Sequence, residues 1–256
     1  MCTLTIIAPR PSECTRDHFE CGQSTRGHFT LGFNRDEHPQ RAELAPAILG
    51  ETRRFIAPRD ADEGGAWIAV NDAGIALAVL NRNEPGLPDR SVAGTSRGTL
   101  VPELAPLGSL DEIRAGVERL ARGIARGFRL VATDGARVLD ALGGAHAIET
   151  SLAPLVRPVI RTSSGLGDAL VREPRTELFE STVARAPADA QAAAQRAFHA
   201  HFWSDRRHLS VLMDRGVART VSQTFIAVEP AAVRFSHALR GDGGFLGAAQ
   251  HELPRR

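Results

Sequence analysis

The sequence predicts an α+β protein in which two mostly antiparallel sheets stack and helices cover the outside. Three observations carry this. Paired apolar runs joined by short Asn, Asp or Gly turns read as hairpins, which pair antiparallel and argue against a doubly wound parallel sheet. Several of those runs are apolar on successive residues, as in a sheet covered on both faces. Helical patterns come in groups between runs of strands and do not alternate with single strands.

Leu4–Ile7 and His28–Phe33 read as the first strands, joined by a polar loop over 9–27 that carries Pro9, Pro11, Gly22 and Gly27. Ala66–Asn71 and Ile75–Leu80 form a hairpin around Asp72-Ala73-Gly74. After a Gly/Pro/Ser-rich stretch, Ser109-Leu110-Asp111-Glu112 fits a capping box, and Leu110, Ile113, Val117, Leu120 and Ile124 follow helical spacing. Phe128–Thr133 and Arg137–Leu142 pair across Asp134-Gly135, and Val159–Thr162 adds a short strand. Two helices, Leu178–Ala184 and Ala188–Phe202, precede closing strands at Leu209–Met213, Thr220–Val228 and Val233–Ser236. Nothing divides the 256 residues, so one domain over 1–256 is expected.

Composition removes whole chemistries. The chain has no Lys and no Tyr, so all 31 basic positions are Arg. A pyridoxal Schiff base, a Walker P-loop and a tyrosine acid or base are therefore excluded. A formal charge of +1 gives no basic face for nucleic acid. The longest apolar run, Ile75–Leu80, is far short of the ~20 residues a membrane span needs. Three cysteines, all within the first 21 residues, do not form the even framework of a disulfide-stapled secreted domain, and a reducing cytoplasm is expected.

Two places can carry chemistry. Removal of the initiator Met would leave Cys2 as the first residue, with a thiol and a free α-amine on one side chain and backbone. The amine's ordinary pKa of ~7.7–8.0 suits it to act as base for its own thiol. The second place is Asn34-Arg35-Asp36-Glu37, read as a loop directly after the second strand. There a guanidinium can hold a carboxylate or lower a thiol pKa, and a carboxylate can hold an α-ammonium. Cys14, His18 and Cys21 supply three potential ligands at spacing unlike a zinc site, and no metal or cofactor is expected. His199 and His201, two apart on a helix, face different sides and read as structural.

Cys2 together with Asn34-Arg35-Asp36-Glu37 resembles the NRDE family, also called the Transport and Golgi organisation protein 2 family. The resemblance continues through Arg41, Gly64-Gly65-Ala66-Trp67, Asn71 and Gly74, Ala78 with Asn81, Ser96-Arg97-Gly98, Gly127-Phe128, Thr162 to Asp168 and Arg219-Thr220-Val221-Ser222. It implies an N-terminal-nucleophile hydrolase-like αββα sandwich. By that likeness Cys2 is the nucleophile, Arg35 and Asp36 flank it, Asn81 donates to an oxyanion, and Arg219 adds a positive charge. Asn34, Glu37, Trp67 and Ser164 would contact substrate. Ala66 stands where the family often has Thr, and Ser164 where relatives carry Asn, which leaves a second amide donor open. Two functions follow from these features: a cytoplasmic amidohydrolase attacking a non-peptide C–N amide, or a non-catalytic haem or lipid binding and trafficking protein on the same scaffold. Either takes a small-molecule substrate or ligand, haem among the candidates; the sequence is silent on oligomeric state.

Overall fold

The computed structural model describes residues 2–8, 27–88 and 95–256. Among these residues fourteen strands form two seven-stranded antiparallel sheets. The first sheet contains β1 (Cys2–Ile7), β2 (Phe29–Glu37), β10 (Val159–Ser163), β11 (Arg219–Val228), β12 (Ala232–Gly241), β13 (Gly244–Phe245) and β14 (Ala249–Pro254). Its order is β10-β1-β2-β11-β12-β13, with β14 also pairing to β12. The second sheet runs in chain order: β3 (Glu43–Leu49), β4 (Phe55–Asp60), β5 (Ile68–Asn71), β6 (Ala76–Asn81), β7 (Phe128–Thr133), β8 (Arg137–Gly144) and β9 (Ala147–Pro154).

Period-two alternation sorts the central strands into two buried faces. On β1, Leu4 and Ile6 join Phe29, Leu31 and Phe33 of β2 in the main core between the sheets. Thr3, Thr5 and Ile7 face the other way, toward α3 (Asp168–Phe179) and α4 (Ala188–His199). The second sheet is covered by α1 (Leu100–Leu104) and α2 (Leu110–Leu120), whose Leu100, Val101, Leu104, Ile113 and Val117 are buried in the main core cluster. The layers are thus α, β, β, α. Each fully buried large aliphatic or Phe side chain contributes about 1.5–3 kcal/mol against exposure.

The capping box forms in modified shape. Ser109 Oγ accepts from Glu112 N at 3.2 Å, while Glu112 Oε2 reaches back to Gly108 N at 2.7 Å. Asn71 fixes the β5–β6 turn: its Oδ1 accepts from Ala73 N and Ile75 N, and its Nδ2 donates to the carbonyls of Ala105 and Leu107 after α1.

Three expectations need correction. Asn34-Arg35-Asp36-Glu37 is not a loop; it continues β2, paired on both sides by β1 and β11. Leu209–Met213 forms no strand, because side chains claim its carbonyls. Arg175 takes those of Leu209 and Ser210, Asn34 that of Val211, and Arg240 shares that of Met213 with the Thr220 N–H. The third helical segment starts at Asp168, ahead of the expected Leu178, and carries Pro174 inside it before a π-turn over Glu180–Ala184. Pro174 costs one hydrogen bond, but Val171, Arg175 and Phe179 on its buried face hold the helix in place. The Cys14, His18 and Cys21 loop lies outside the described residues.

Candidate active site

Pairing register builds the site. Cys2 is opposite Ser163 on one side and Arg35 on the other, and Arg35 is opposite Ser222. Directly opposed side chains share a face at Cβ separations of about 4.5–5.5 Å. One row therefore crosses the sheet: Ser163, Cys2, Arg35, Ser222. A β-bulge between Thr220 and Ser222 lets β11 serve both faces of β2. Thr220 Oγ1 donates to Asp36 Oδ1 at 2.6 Å on the helix side, and Ser222 Oγ to Glu43 Oε2 at 3.1 Å on the sheet side.

Cys2, Arg35, Asp36, Glu37, Trp67 and Asn81 all line one cavity of about 160 Å³ between the two sheets' ends. The Arg35 guanidinium lies over the Trp67 ring, 4.1 Å from its centroid. It also pairs with Glu43 Oε2 at 2.8 Å and Asp60 Oδ2 at 3.1 Å, all three side chains being nearly fully buried. Glu43 Oε1 stands 2.7 Å from His237 Nε2, and His237 Nδ1 is 2.8 Å from Thr224 Oγ1. Arg35 is thereby held in one orientation against the row that contains Cys2. Asn81 has no side-chain hydrogen bond among the described residues, so its amide is available to a ligand.

Burial pushes the Cys2 thiol up from its ordinary value, opposed by the chain's amino terminus and by a hydrogen bond from the Asp36 N–H. The resting sulfur is a protonated thiol. Burial also pushes the Asp36 carboxyl up, against the pull of Arg175, the amino terminus and the Thr220 hydroxyl.

Other predicted residues lie elsewhere. Asn34 points to the helix side of β2: its Nδ2 donates to the carbonyls of His199 and Val211, both at 2.9 Å, and its Oδ1 meets His199 Nδ1 at 2.9 Å. Strand alternation forces this, since Asn34 and Arg35 are neighbours on one strand. Ser164 is absorbed in the turn before α3, its N–H donating to Asp168 Oδ1 and its Oγ accepting from Leu166 N. Arg219 pairs with Asp242 at 3.3 Å and donates to the Arg240 carbonyl, outside the cavity lining.

Sequence reading missed Glu43, Asp60, His237, Arg126 and Arg175. Arg175 is fully buried behind the Cys2 row, donating to Thr3 Oγ1 at 2.7 Å and to two backbone carbonyls. A lone Arg on the buried face of a helix is the signal that was available. Among the described residues, no group of three or more His, Cys, Asp or Glu is arranged to hold a metal ion.

A family model described as Transport and Golgi organisation 2 matches residues 18–227. The chain belongs to the Transport and Golgi organisation 2 family. Among solved structures it resembles penicillin V acylase from Agrobacterium tumefaciens, with a TM-score of 0.55 and 11% identity over 98% of this chain and 86% of that one. It also resembles conjugated bile acid hydrolase from Clostridium perfringens, solved as a variant with alanine for the cysteine at position two. That match has a TM-score of 0.53 and 10% identity over 100% of this chain and 97% of the other. At 10–11% identity these matches show a shared fold, N-terminal-nucleophile hydrolase-like, and the fold alone. No curated protein sequence matches the chain. No helix among the described residues is long and apolar enough to cross a membrane.

Proposed function

We propose that this family member is an amidohydrolase that cleaves a non-peptide C–N amide through Cys2, exposed as the first residue once Met1 is removed. The observation that supports this most is the convergence of Cys2, Arg35 and Asn81 on one cavity of a hydrolase scaffold. The α-amine takes the Sγ proton as sulfur bonds to the substrate carbonyl carbon. The amide N of Asn81 donates to the oxygen as it gains negative charge, an interaction of ~2.7–4 kcal/mol in comparable sites. The ammonium then gives its proton to the departing nitrogen as the C–N bond breaks, leaving a thioester. Water attacks next, with the amine again as base, releasing a carboxylic acid and restoring the thiol.

Each neighbour has a job in that sequence. Because burial favours the thiol over the thiolate, proton removal has to accompany attack, which is what an adjoining amine supplies. Arg35 favours the developing thiolate, and Asp36 orients the amine. A cavity of about 160 Å³ beside Cys2 suits the reacting end of an acyl amide.

The test is hydrolysis of an N-acyl amide panel that includes penicillin V and a glycine-conjugated bile acid, by protein whose intact mass shows Met1 absent. Turnover that disappears in Cys2→Ala, with unchanged circular dichroism, is expected. Turnover that survives the substitution refutes the reading, as does retention of Met1 in active protein.

A further inference from the structure

The donor and acceptor balance of the cavity wall is uneven. On the acidic side Asp60 and Glu37 are engaged. Asp60 accepts from Arg35 Nη2, Arg41 Nε and the backbone N–H groups of Asp62 and Glu63. Burial alone would raise its pKa, but these bonds outweigh it and hold the carboxyl below its usual range. Glu37 accepts from the His38 N–H and pairs with Arg41 at 3.5 Å. Glu63 is exposed at the rim.

On the opposite side two donors are not engaged. Arg126 forms no ion pair or hydrogen bond among the described residues, and its Nε is buried without a partner. Trp67 is 7% exposed, and its Nε1 is likewise buried and unpartnered. Arg97 lines the same wall, its Nη1 donating to the Gly127 carbonyl at 2.9 Å. The wall is held rigidly. Ala66 N donates to the Gly98 carbonyl at 3.0 Å, and a Cβ on Gly65 would come within 2.8 Å of the Gly98 backbone, so the two chain segments touch where only glycine fits.

Guanidinium and indole N–H groups only donate. Buried donors without acceptors are costly in a finished fold, so the Arg126 Nε and Trp67 Nε1 groups mark where a ligand's acceptors belong. We infer that Arg126, with Arg97 and the Trp67 N–H, forms an oxyanion subsite, and that the substrate of the Cys2 cavity carries a carboxylate or phosphate group. This rests on the amidohydrolase reading for its catalytic meaning, but its binding prediction stands without turnover.

The experiment uses the Cys2→Ala protein and calorimetric titration with three ligands sharing one acyl chain: an N-acylglycine, an N-acyl-phosphoethanolamine and the neutral N-acylethanolamine. One or both anionic ligands should bind about ten- to a hundred-fold more tightly than the neutral one, the range for charge-assisted bonds. Preference between the two anions identifies carboxylate or phosphate. The gap should close in Arg126→Gln and be partly restored in Arg126→Lys. Equal affinity for all three, an unchanged gap in Arg126→Gln, or no saturable binding of either anion overturns the subsite. Failure of the wild-type enzyme to hydrolyse any of them, with the binding gap intact, counts against the hydrolase reading alone.

Discussion

Acid should weaken this fold through His199. The residue is fully buried on the last turn of α4, and its tautomer follows from its neighbours. Asn34 spends both amide hydrogens on backbone carbonyls, so its Oδ1 can only accept, and His199 Nδ1 carries the proton. Gln195 Nε2 donates to Thr5 Oγ1 at 2.9 Å, leaving the Thr5 hydroxyl to donate to His199 Nε2 at 2.7 Å. Protonating Nε2 would set donor against donor in a site that cannot hydrate the charge. Burial first, then the nearby Arg175 charge, drives the His199 pKa from 6.5 down to about 3. A base whose folded pKa is depressed binds fewer protons in the native state than in the unfolded one. Its contribution is therefore intact above pH 6.5 and is lost as pH falls toward 3. Between pH 7 and 4.5 the loss integrates to about 2.5 kcal/mol at 1.36 kcal/mol per unit. Urea denaturation followed by circular dichroism at both pH values, for wild type and His199→Gln, isolates this from the carboxylates they share. The wild type should lose about 2.5 kcal/mol more than the variant. An equal loss in the two proteins would show that His199 is charged in the fold, and the hydrogen-bond assignment would be wrong.

Other consequences follow from the same packing. Asn34→Ala strands the Val211 carbonyl and the His199 N–H, while the His199 carbonyl keeps its bond from Gln223 Nε2; at about 1–3 kcal/mol each the change should cost at least about 2 kcal/mol in urea denaturation, and a loss below about 1 kcal/mol would return Asn34 to a surface role. Arg35→Leu removes the guanidinium that buried Glu43 and Asp60 share, leaving Glu43 only His237 and Ser222 and Asp60 only Arg41 and two backbone N–H groups, and should destabilise by about 3 kcal/mol, measured the same way, with a near-neutral result refuting the pairing. Ser163 stands beside Cys2 with a buried, unpartnered hydroxyl, so Ser163→Ala should leave the melting temperature unchanged or raise it, and a clear drop would reveal a bond to that hydroxyl. Gly32→Ala would drive a methyl to within 2.6 Å of His199 Nε2 and should lower stability by about 1–3 kcal/mol; tolerance would mean the α4 contact is looser than described.

What the sequence made legible depended on whether local pattern and tertiary role agreed. The β5–β6 hairpin and α2 were readable because turn chemistry, capping and periodicity all point one way at Asn71–Gly74 and Ser109–Glu112. Strands β3 and β4 were not, because each carries a proline. Pro46 sits in the irregular stretch of an edge strand, between the Leu44 and Ala47 pairings, and Pro58 lies past the last β4 pair with β5. Losing those strands also lost Glu43 and Asp60, the two carboxylates that hold Arg35. Cys2, Arg35, Asp36 and Asn81 could be named from motif, but their faces could not be told apart while Asn34–Glu37 read as a loop. Once it is a strand, alternation sends Arg35 to the cavity and Asn34 to His199. Arg126 and Arg175 lie in no motif, and only their burial and unmet or unusual partners single them out.

The central claim is that Cys2 forms a covalent bond with its substrate's acyl group. Mixing Met1-free protein with an excess of the best-hydrolysed amide, quenching in acid within the first turnover and measuring intact mass tests this directly. The account predicts an increase equal to the acyl group, mapped to the peptide beginning at Cys2, sensitive to hydroxylamine and absent from Cys2→Ala. Steady hydrolysis with no adduct at any quench time, and undiminished in Cys2→Ala, would contradict it.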